Sequence, residues 1–410
     1  MPKQNSAQNT NELRIALVSS SAPPYSQGGV SSAHYNLFVG LKNRGYSVKL
    51  YTFNDKINKS GSEIHRSKAS PRIKKLLDLF LSIFFRLFFR ERGAYHLSDI
   101  LGVFFGSLKA GRAIRRDNPD VIILPDHGSP GTFIRKPKGS RFILISHHNP
   151  MRFLNNPLIG QSSIHDAKAA LVLEQRAVDK ADAVICPSHY MKDCFNKTYK
   201  YDGNVHVIPN LVAFDLLHGI APANLHNTLG IDKNSPIVYI PSAGSRVKGS
   251  AFVFEIIRRI ASDFKKDIGF YLSGVQNAEL SYQIKHVPEN VKLHYPGPVN
   301  YCDNIALMKA CSVCVSPTLL ENYGMALLEA HLSGLIVIAF DVGGNRDIIQ
   351  DGVNGYLVDY LDIESMVGCA KDVLGDPKNF NTLSCKNNYD VDKVIGEYAA
   401  LIENIVTRES

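Results

Sequence analysis

The sequence predicts an α/β protein made of two doubly wound domains, each a parallel sheet covered by helices. Three observations carry that expectation. The 410 residues exceed the size at which a single core stops growing, which points to two domains of about 200 residues each. Short apolar runs bounded by turn residues alternate with longer stretches of helical period along most of the chain. The alternation also starts afresh after "HVIPNLVAFDLLHGIAPANLHNTLGIDKNS", a stretch of weak periodicity holding Pro, Asn and Gly.

The first unit reads as βαβ. "LRIALVSS" is a buried strand, the loop through "QGGV" follows, a helix runs from about Val30 to Arg44 and stops at Gly45, and "VKLYTF" is the next strand. "DVIILPD", "RFILIS" and "ADAVICPS" continue the sheet, with helical patterns such as "SIHDAKAALVLEQRAVDKA" between them. Beyond the break, "PIVYIPSAGS", "IGFYLSG", "VKLHYPG", "CSVCVSP", "LIVIAFD" and "GYLVD" are strands. The division expected is an N-terminal Rossmann-like domain over 1–215 and a C-terminal Rossmann-like domain over 225–385. A closing helix over 386–410 packs back on the first domain, and the boundary falls within 212–232. Ligands of such sheets bind beyond the carboxyl ends of the strands.

Composition narrows the class. Hydrophobic residues make up 45% and charged residues 20%, ordinary for a globular protein. Seven cysteines in no regular framework suit a reducing compartment. Cys311 and Cys314 have CxxC spacing, but "ACSVCVSP" alternates like a strand and no second ligand pair follows, so metal and redox use are not expected. No HExxH occurs, and no Asp-x-Asp stands in a suitable loop. The polar N-terminus "MPKQNSAQNTNELR" lacks a signal peptide's apolar core, and no apolar run reaches about 18 residues, so a cytoplasmic location is expected.

The net charge of +8 is concentrated. Residues 61–116, read as a basic amphipathic insertion, hold twelve Lys and Arg against four Asp and Glu, so the remainder of the chain sums to zero. Within it, "RIKKLLDLFLSIFFRLFFR" places Lys75, Asp78, Ser82, Arg86 and Arg90 on one helical stripe among Leu and Phe. Such a helix suits an anionic membrane surface, with Leu and Phe in the headgroup layer and Arg on phosphates. The other reading is a helix packed in the core with its polar stripe toward water. Nucleic acid fits less well, because the Phe residues are packed among Leu rather than interleaved singly with basic residues.

Candidate site residues fall just past strand ends. Gly28 and Gly29 follow the first strand, where a glycine pair lets backbone approach an anion, or simply makes a tight turn. His147 and His148 follow "RFILIS", and His147 is the first choice because it stands nearer the strand. Glu321 and Glu329 flank the start of a helix expected at about Tyr323 or Gly324, whose N-terminus suits a phosphate. By spacing alone, the two acids also read as a capping acid and an exposed helix glutamate.

The stretch "ENYGMALLE" resembles the signature of the family 4 retaining glycosyltransferases of the GT-B fold, in which two Glu are separated by seven residues, with Tyr323 where Phe is usual. "GLIVIAFDVGGNRDIIQDGVNGYLV" with Asp347, "PPYSQGGVSSAHYNLFVGLKNRGYSVKLYT", "LEQRAVDKADAVICPS" and "HVIPN" extend the likeness over most of the chain outside 55–118. The resemblance implies two Rossmann-like domains facing across a cleft. The donor is a nucleotide-sugar and the acceptor a saccharide or lipid-linked saccharide, with no separate cofactor and no metal. It implies that Glu329 holds the ribose, that Glu321 contacts the donor sugar, and that the backbone of Asn322, Tyr323 and Gly324 faces sugar and diphosphate. A histidine at the His147 position approaches the reacting carbon. Arg246 and Lys248 in "PSAGSRVKGS" clamp the diphosphate, although only Val247 separates them where the family more often has four residues. The function expected is a retaining glycosyltransferase of glycan or cell-surface polysaccharide biosynthesis, cytoplasmic or peripheral on the inner face of the plasma membrane. The alternatives are a nucleotide-sugar epimerase of the same fold or a non-catalytic sugar-nucleotide-binding protein.

Overall fold

Two parallel sheets organise the chain, and each belongs to its own unit: residues 1–211 with 391–410, and residues 212–390. The computed structural model describes residues 13–25, 28–91, 95–154, 156–159, 163–375 and 389–407. The polar first twelve residues, and Ser26 and Gln27 of the first loop, lie outside the described residues. The fold is of the GT-B type, with mixed α/β units that are both Rossmann-like.

The first unit has strands β1 (Arg14–Ser19), β2 (Ser47–Thr52), β3 (Lys59–Ser60), β4 (Ile64–Arg66), β5 (Val121–Pro125), β6 (Arg141–Ile145), β7 (Ala183–Cys186) and β8 (Val205–Val207). Their order is β3-β4-β2-β1-β5-β6-β7-β8, parallel throughout except for the short β3 on the edge. Central strands are covered on both faces, which is why Ile15 to Val18 and Val121 to Leu124 are continuous apolar runs rather than alternating ones. Each Val, Leu or Ile in these runs contributes roughly 1.5–3 kcal/mol by burial. The direction of winding reverses between β1 and β5, so the loops after β1, β5 and β6 gather at one carboxyl edge.

Helix α1 (Gly29–Asn43) starts one residue before the expected position and ends one residue earlier, with Gly45 at φ +91° behind it. It buries Leu37, Phe38 and Leu41 and, less expectedly, His34. The closing helix Val391–Thr407 lies in the same unit: Ile395 packs against Gly40, the Tyr46 hydroxyl donates to Oε1 of Glu403 at 2.5 Å, and Arg44 donates to the Asp392 carbonyl at 3.2 Å.

The basic segment is helical in three pieces, α2 (Pro71–Phe88), α3 (Tyr95–Gly102) and α4 (Phe104–Asp117). Ala110, Ala113 and Ile114 of α4 join the main core of the unit. By contrast, α2 buries only Leu81 and Phe85, which pack with Leu77, Leu97 and Leu101 in a small separate cluster. Its polar stripe is divided: Asp78 accepts from the Ser98 hydroxyl, while Lys75, Ser82 and Arg86 are exposed. Arg90 lies past the helix end. The apolar side chains Leu76, Leu79, Phe80, Ile83, Leu87 and Phe88 are 50–72% exposed, so the greasy face points outward rather than into a core. Among the described residues, no helix is long and apolar enough to cross a membrane.

The second unit has β9 (Ile237–Ile240), β10 (Ile268–Leu272), β11 (Val291–His294), β12 (Val313–Ser316), β13 (Ile336–Phe340) and β14 (Gly355–Val358), ordered β11-β10-β9-β12-β13-β14 and wholly parallel. Here the winding reverses between β9 and β12. Cys314 is buried in β12 and Cys311 precedes it; both thiols are free, and burial raises both above their ordinary range. Among the described residues, no group of three or more His, Cys, Asp and Glu is placed to hold a metal ion.

Candidate functional site

In the second unit the reversal point falls where a doubly wound sheet leaves an open crevice, and the loops after β9, β12 and β13 meet there. Lys248 ends a single helical turn after β9, and Glu321 stands in the loop after β12. Their side chains meet, with Lys248 Nζ 2.5 Å from Glu321 Oε2, although the residues are 73 positions apart. The other carboxylate oxygen, Oε1, accepts the Asn322 N–H at 3.1 Å. The side chains are 29% and 13% exposed, so this pair is screened less than a surface pair but is still reached by solvent.

Backbone contacts fix the loop that carries Glu321. Leu319 N–H donates to the Val247 carbonyl at 2.9 Å. Gly249 and Gly343 press on it from two sides: a Cβ at Gly249 would lie 1.9 Å from the Pro317 carbonyl oxygen, and one at Gly343 would lie 1.9 Å from that of Glu321. Both glycines have positive φ, +80° and +57°, a region in which side chains are strained as well.

The following helix is Met325–Leu332, with Gly324 as its cap. It therefore starts one or two residues later than the sequence suggests, because Gly324 has a non-helical ψ of 73°. Tyr323 is buried at 5% exposure. Beside Gly324 lies Asn345, fully buried, whose Nδ2 donates to the Phe340 carbonyl while Oδ1 has no hydrogen-bond partner.

Glu329 lies inside this helix, partly buried next to Tyr301. Burial raises its carboxyl to about 7, and the neighbouring phenol offsets this only in part. The sign for stability follows. The unfolded chain releases this proton near its ordinary 4.5, whereas the folded protein keeps it up to about pH 7. Folding is then weakened as pH rises across that window. Thermal unfolding from pH 4.5 to 8 should show wild-type Tm falling relative to Glu329→Gln through the window, with the two curves parallel above it. Parallel curves throughout would contradict the raised carboxyl.

Arg246 is exposed and makes no ion pair with Glu321 or with any other described acid. The structure thus joins Lys248, Glu321 and Asn322 by hydrogen bonds, places Tyr323 and Gly324 at the entry to the helix that carries Glu329, and leaves the Arg246 side chain exposed.

In the first unit, Gly28 caps α1 with φ +83°, and the space its Cβ would occupy is open; Gly29 is the first helical residue. His147 and His148 follow β6 and are held by Asp126, which follows β5. The buried carboxylate accepts both backbone N–H groups, at 2.9 and 2.8 Å, and the Ser146 hydroxyl at 2.9 Å. Burial raises Asp126 to about 6, while those bonds work in the opposite direction.

The imidazole of His147 is 3% exposed and its Nε2 lies 3.2 Å from Nε2 of His34. His34 Nδ1 lies 2.8 Å from the Val18 carbonyl, so it must donate there. Burial lowers His34 to about 4 and holds His147 well below its usual range. With both rings neutral, His34 accepts on Nε2 and His147 donates from Nε2. His148 is half-buried against the rings of His96, His127 and Phe153. Asp126, His34, Tyr301 and Asn345 were missed from the sequence. Two signals were present: an acid at the end of "DVIILPD", and a histidine on the apolar face of α1.

Comparison with known proteins agrees with this architecture. The chain matches the family described as glycosyltransferase family 4 over residues 27–216, and glycosyl transferases group 1 over residues 223–388. The chain belongs to the family 4, group 1 glycosyltransferases. It is 28% identical over 199 residues to the alpha-maltose-1-phosphate synthase of Mycobacterium tuberculosis, covering 46% of this chain and 51% of that protein. The chain thus spans about half the length of that relative. It is 27% identical over 253 residues to the UDP-Gal:alpha-D-GlcNAc-diphosphoundecaprenol alpha-1,3-galactosyltransferase of Escherichia coli, covering 57% of this chain and 64% of that protein. HepE of Anabaena, solved in complex with UDP and glucose, superposes with a TM-score of 0.67 at 18% identity, covering 96% of this chain and 100% of that one.

Proposed function

We propose that the protein is a retaining glycosyltransferase that moves a sugar from a nucleotide-sugar to a saccharide or lipid-linked saccharide, in glycan or cell-surface polysaccharide biosynthesis. The observation that carries this reading is the contact of Lys248 with Glu321 at the reversal point of the second sheet. It sets a cation for a diphosphate beside a carboxylate for sugar hydroxyls, at the entrance to a helix N-terminus. Glu329 holds the ribose, and the backbone of Asn322, Tyr323 and Gly324 faces sugar and diphosphate. Gly28 and Gly29 leave room for backbone to approach the donor, Arg246 adds a second cation to the diphosphate, and His147 approaches the reacting carbon.

In the transfer, the bond from the sugar anomeric carbon to the β-phosphate oxygen breaks and a bond from the acceptor oxygen forms on the same face. The acceptor proton passes to the departing phosphate oxygen. No enzyme nucleophile is needed, and no metal enters the scheme. Glu321 and Glu329 act as binders, unlike the nucleophile and acid/base carboxyls of retaining hydrolases, which stand about 5–5.5 Å apart. A thermal-shift screen over UDP-, GDP-, ADP- and TDP-sugars tests the donor, since a ligand of the native state raises Tm. Inversion at the anomeric carbon of the product, read by NMR, would refute the mechanism.

The same reading places the enzyme peripherally on the inner face of the plasma membrane. The exposed apolar face of α2 is bordered by Arg72, Lys75 and Arg86, all exposed, and this pattern complements anionic lipid. The protein should float with phosphatidylglycerol-containing vesicles and less with neutral ones, and Leu87→Asp/Phe88→Asp should abolish flotation without changing Tm. Equal flotation of that variant would exclude α2 as the contact.

A further inference from the structure

A second polar depression lies in the first unit, where the edge strands β3 and β4 meet α4; of its lining residues, Arg66 also donates to the Ala22 and Pro23 carbonyls in the loop after β1. It has a volume of about 420 Å³. Lys59, Arg66, Lys109, Arg112 and Arg116 line it, and no carboxylate does. Lys109, Arg112 and Arg116 follow one another at spacings of three and four on α4, which turns all three to the same side. Arg66 is neutralised by Asp55 at 2.8 Å, whose side chain is fully buried. The other four cations form no ion pair among the described residues.

A run of basic side chains is most often a solvated face. Two features set this one apart. The cations surround a concave space instead of spreading along a convex helix, so like charges are held together with no anion between them. Ser67 also lines the space, is 1% exposed, and its Oγ has no hydrogen-bond partner. A buried hydroxyl without a partner is unfavourable, so Ser67 leaves an unmatched polar group at the wall of the depression. Ser60 adds a hydroxyl, bonded to His65 Nδ1 at 3.0 Å.

Guanidinium forks, ammonium groups and hydroxyl donors without an acid are the donor set that phosphate oxygens take up. We propose that this depression is a binding site for a phosphate or diphosphate group, distinct from the Lys248 site. The inference goes beyond the transferase reading and does not depend on it. Two sources can bring the same chemistry, the headgroup of an anionic lipid or a soluble phosphorylated compound, and the experiment separates them.

Isothermal titration of the full chain with inorganic pyrophosphate at about 50 mM salt should show binding that weakens as salt is added. Lys109→Ala/Arg112→Ala, two exposed positions, should bind at least about tenfold more weakly with an unchanged Tm. Lys248→Ala should retain the binding that the double variant loses, which separates this depression from the donor site. No binding to the wild type at low salt, or equal binding to the double variant, would overturn the proposal. In parallel flotation with phosphatidylglycerol vesicles, displacement by pyrophosphate assigns the site to a lipid headgroup. Flotation that neither pyrophosphate nor the double variant alters, alongside lost pyrophosphate binding, assigns it to a soluble phosphorylated compound.

Discussion

Lys248→Ala should lower the turnover number by about 10²- to 10³-fold, the size of effect seen when one preorganised group facing developing charge is removed. The cation sits at the reversal point of the second sheet and is already in contact with Glu321. In the proposed reaction, negative charge grows on the departing diphosphate, and the lysine gains most of its interaction energy as that happens. The loss should therefore fall mainly on kcat rather than on donor KM. Removing one partner of a partly buried pair also leaves Glu321 uncompensated, so some loss of stability accompanies the kinetic one. Glu321→Gln in the same background should restore Tm but not turnover. Recovery of turnover along with Tm would show that Lys248 serves only to hold the loop.

Glu329→Ala should act on the other kinetic constant. A carboxylate that accepts from both ribose hydroxyls contributes charge-assisted bonds of about 1.5–3 kcal/mol, hence a rise in donor KM of roughly 10- to 150-fold with a smaller change in kcat. The raised carboxyl adds a pH signature. Below about pH 7 Glu329 carries a proton and accepts less well, so donor KM should fall as pH rises through that value, and Glu329→Gln should remove the dependence. A wild-type KM in the alanine variant would remove the ribose role.

The candidate site could be sought in the chain because doubly wound sheets place function where each strand hands over to its helix. Glu321, Gly28 and His147 are reached by following a strand to its end, whereas Lys248 comes from the family resemblance. Partners set by strand order are another matter. His34 and His147 are 113 residues apart, and only the placement of β1 and β6 on either side of β5 brings the rings together. Asp126 stood in plain view after β5, but its grip on the next loop depends on β5 and β6 being neighbours. The orientation of α2 was equally closed to periodicity, since Leu and Phe occupy nearly every position and the pattern does not say which side is packed.

The two glycines that abut the Pro317 and Glu321 carbonyls bear on how donor preference can change over time or by engineering. With a close backbone contact on each side, this loop cannot be widened by substitution at 249 or 343 without pushing Glu321 off Lys248. Under the proposed function, variation that preserves chemistry is therefore expected at neighbouring positions of the same loop, such as Asn322 and Tyr323, rather than at the two glycines. Libraries for altered sugar choice belong at those positions, with 249 and 343 kept as glycine.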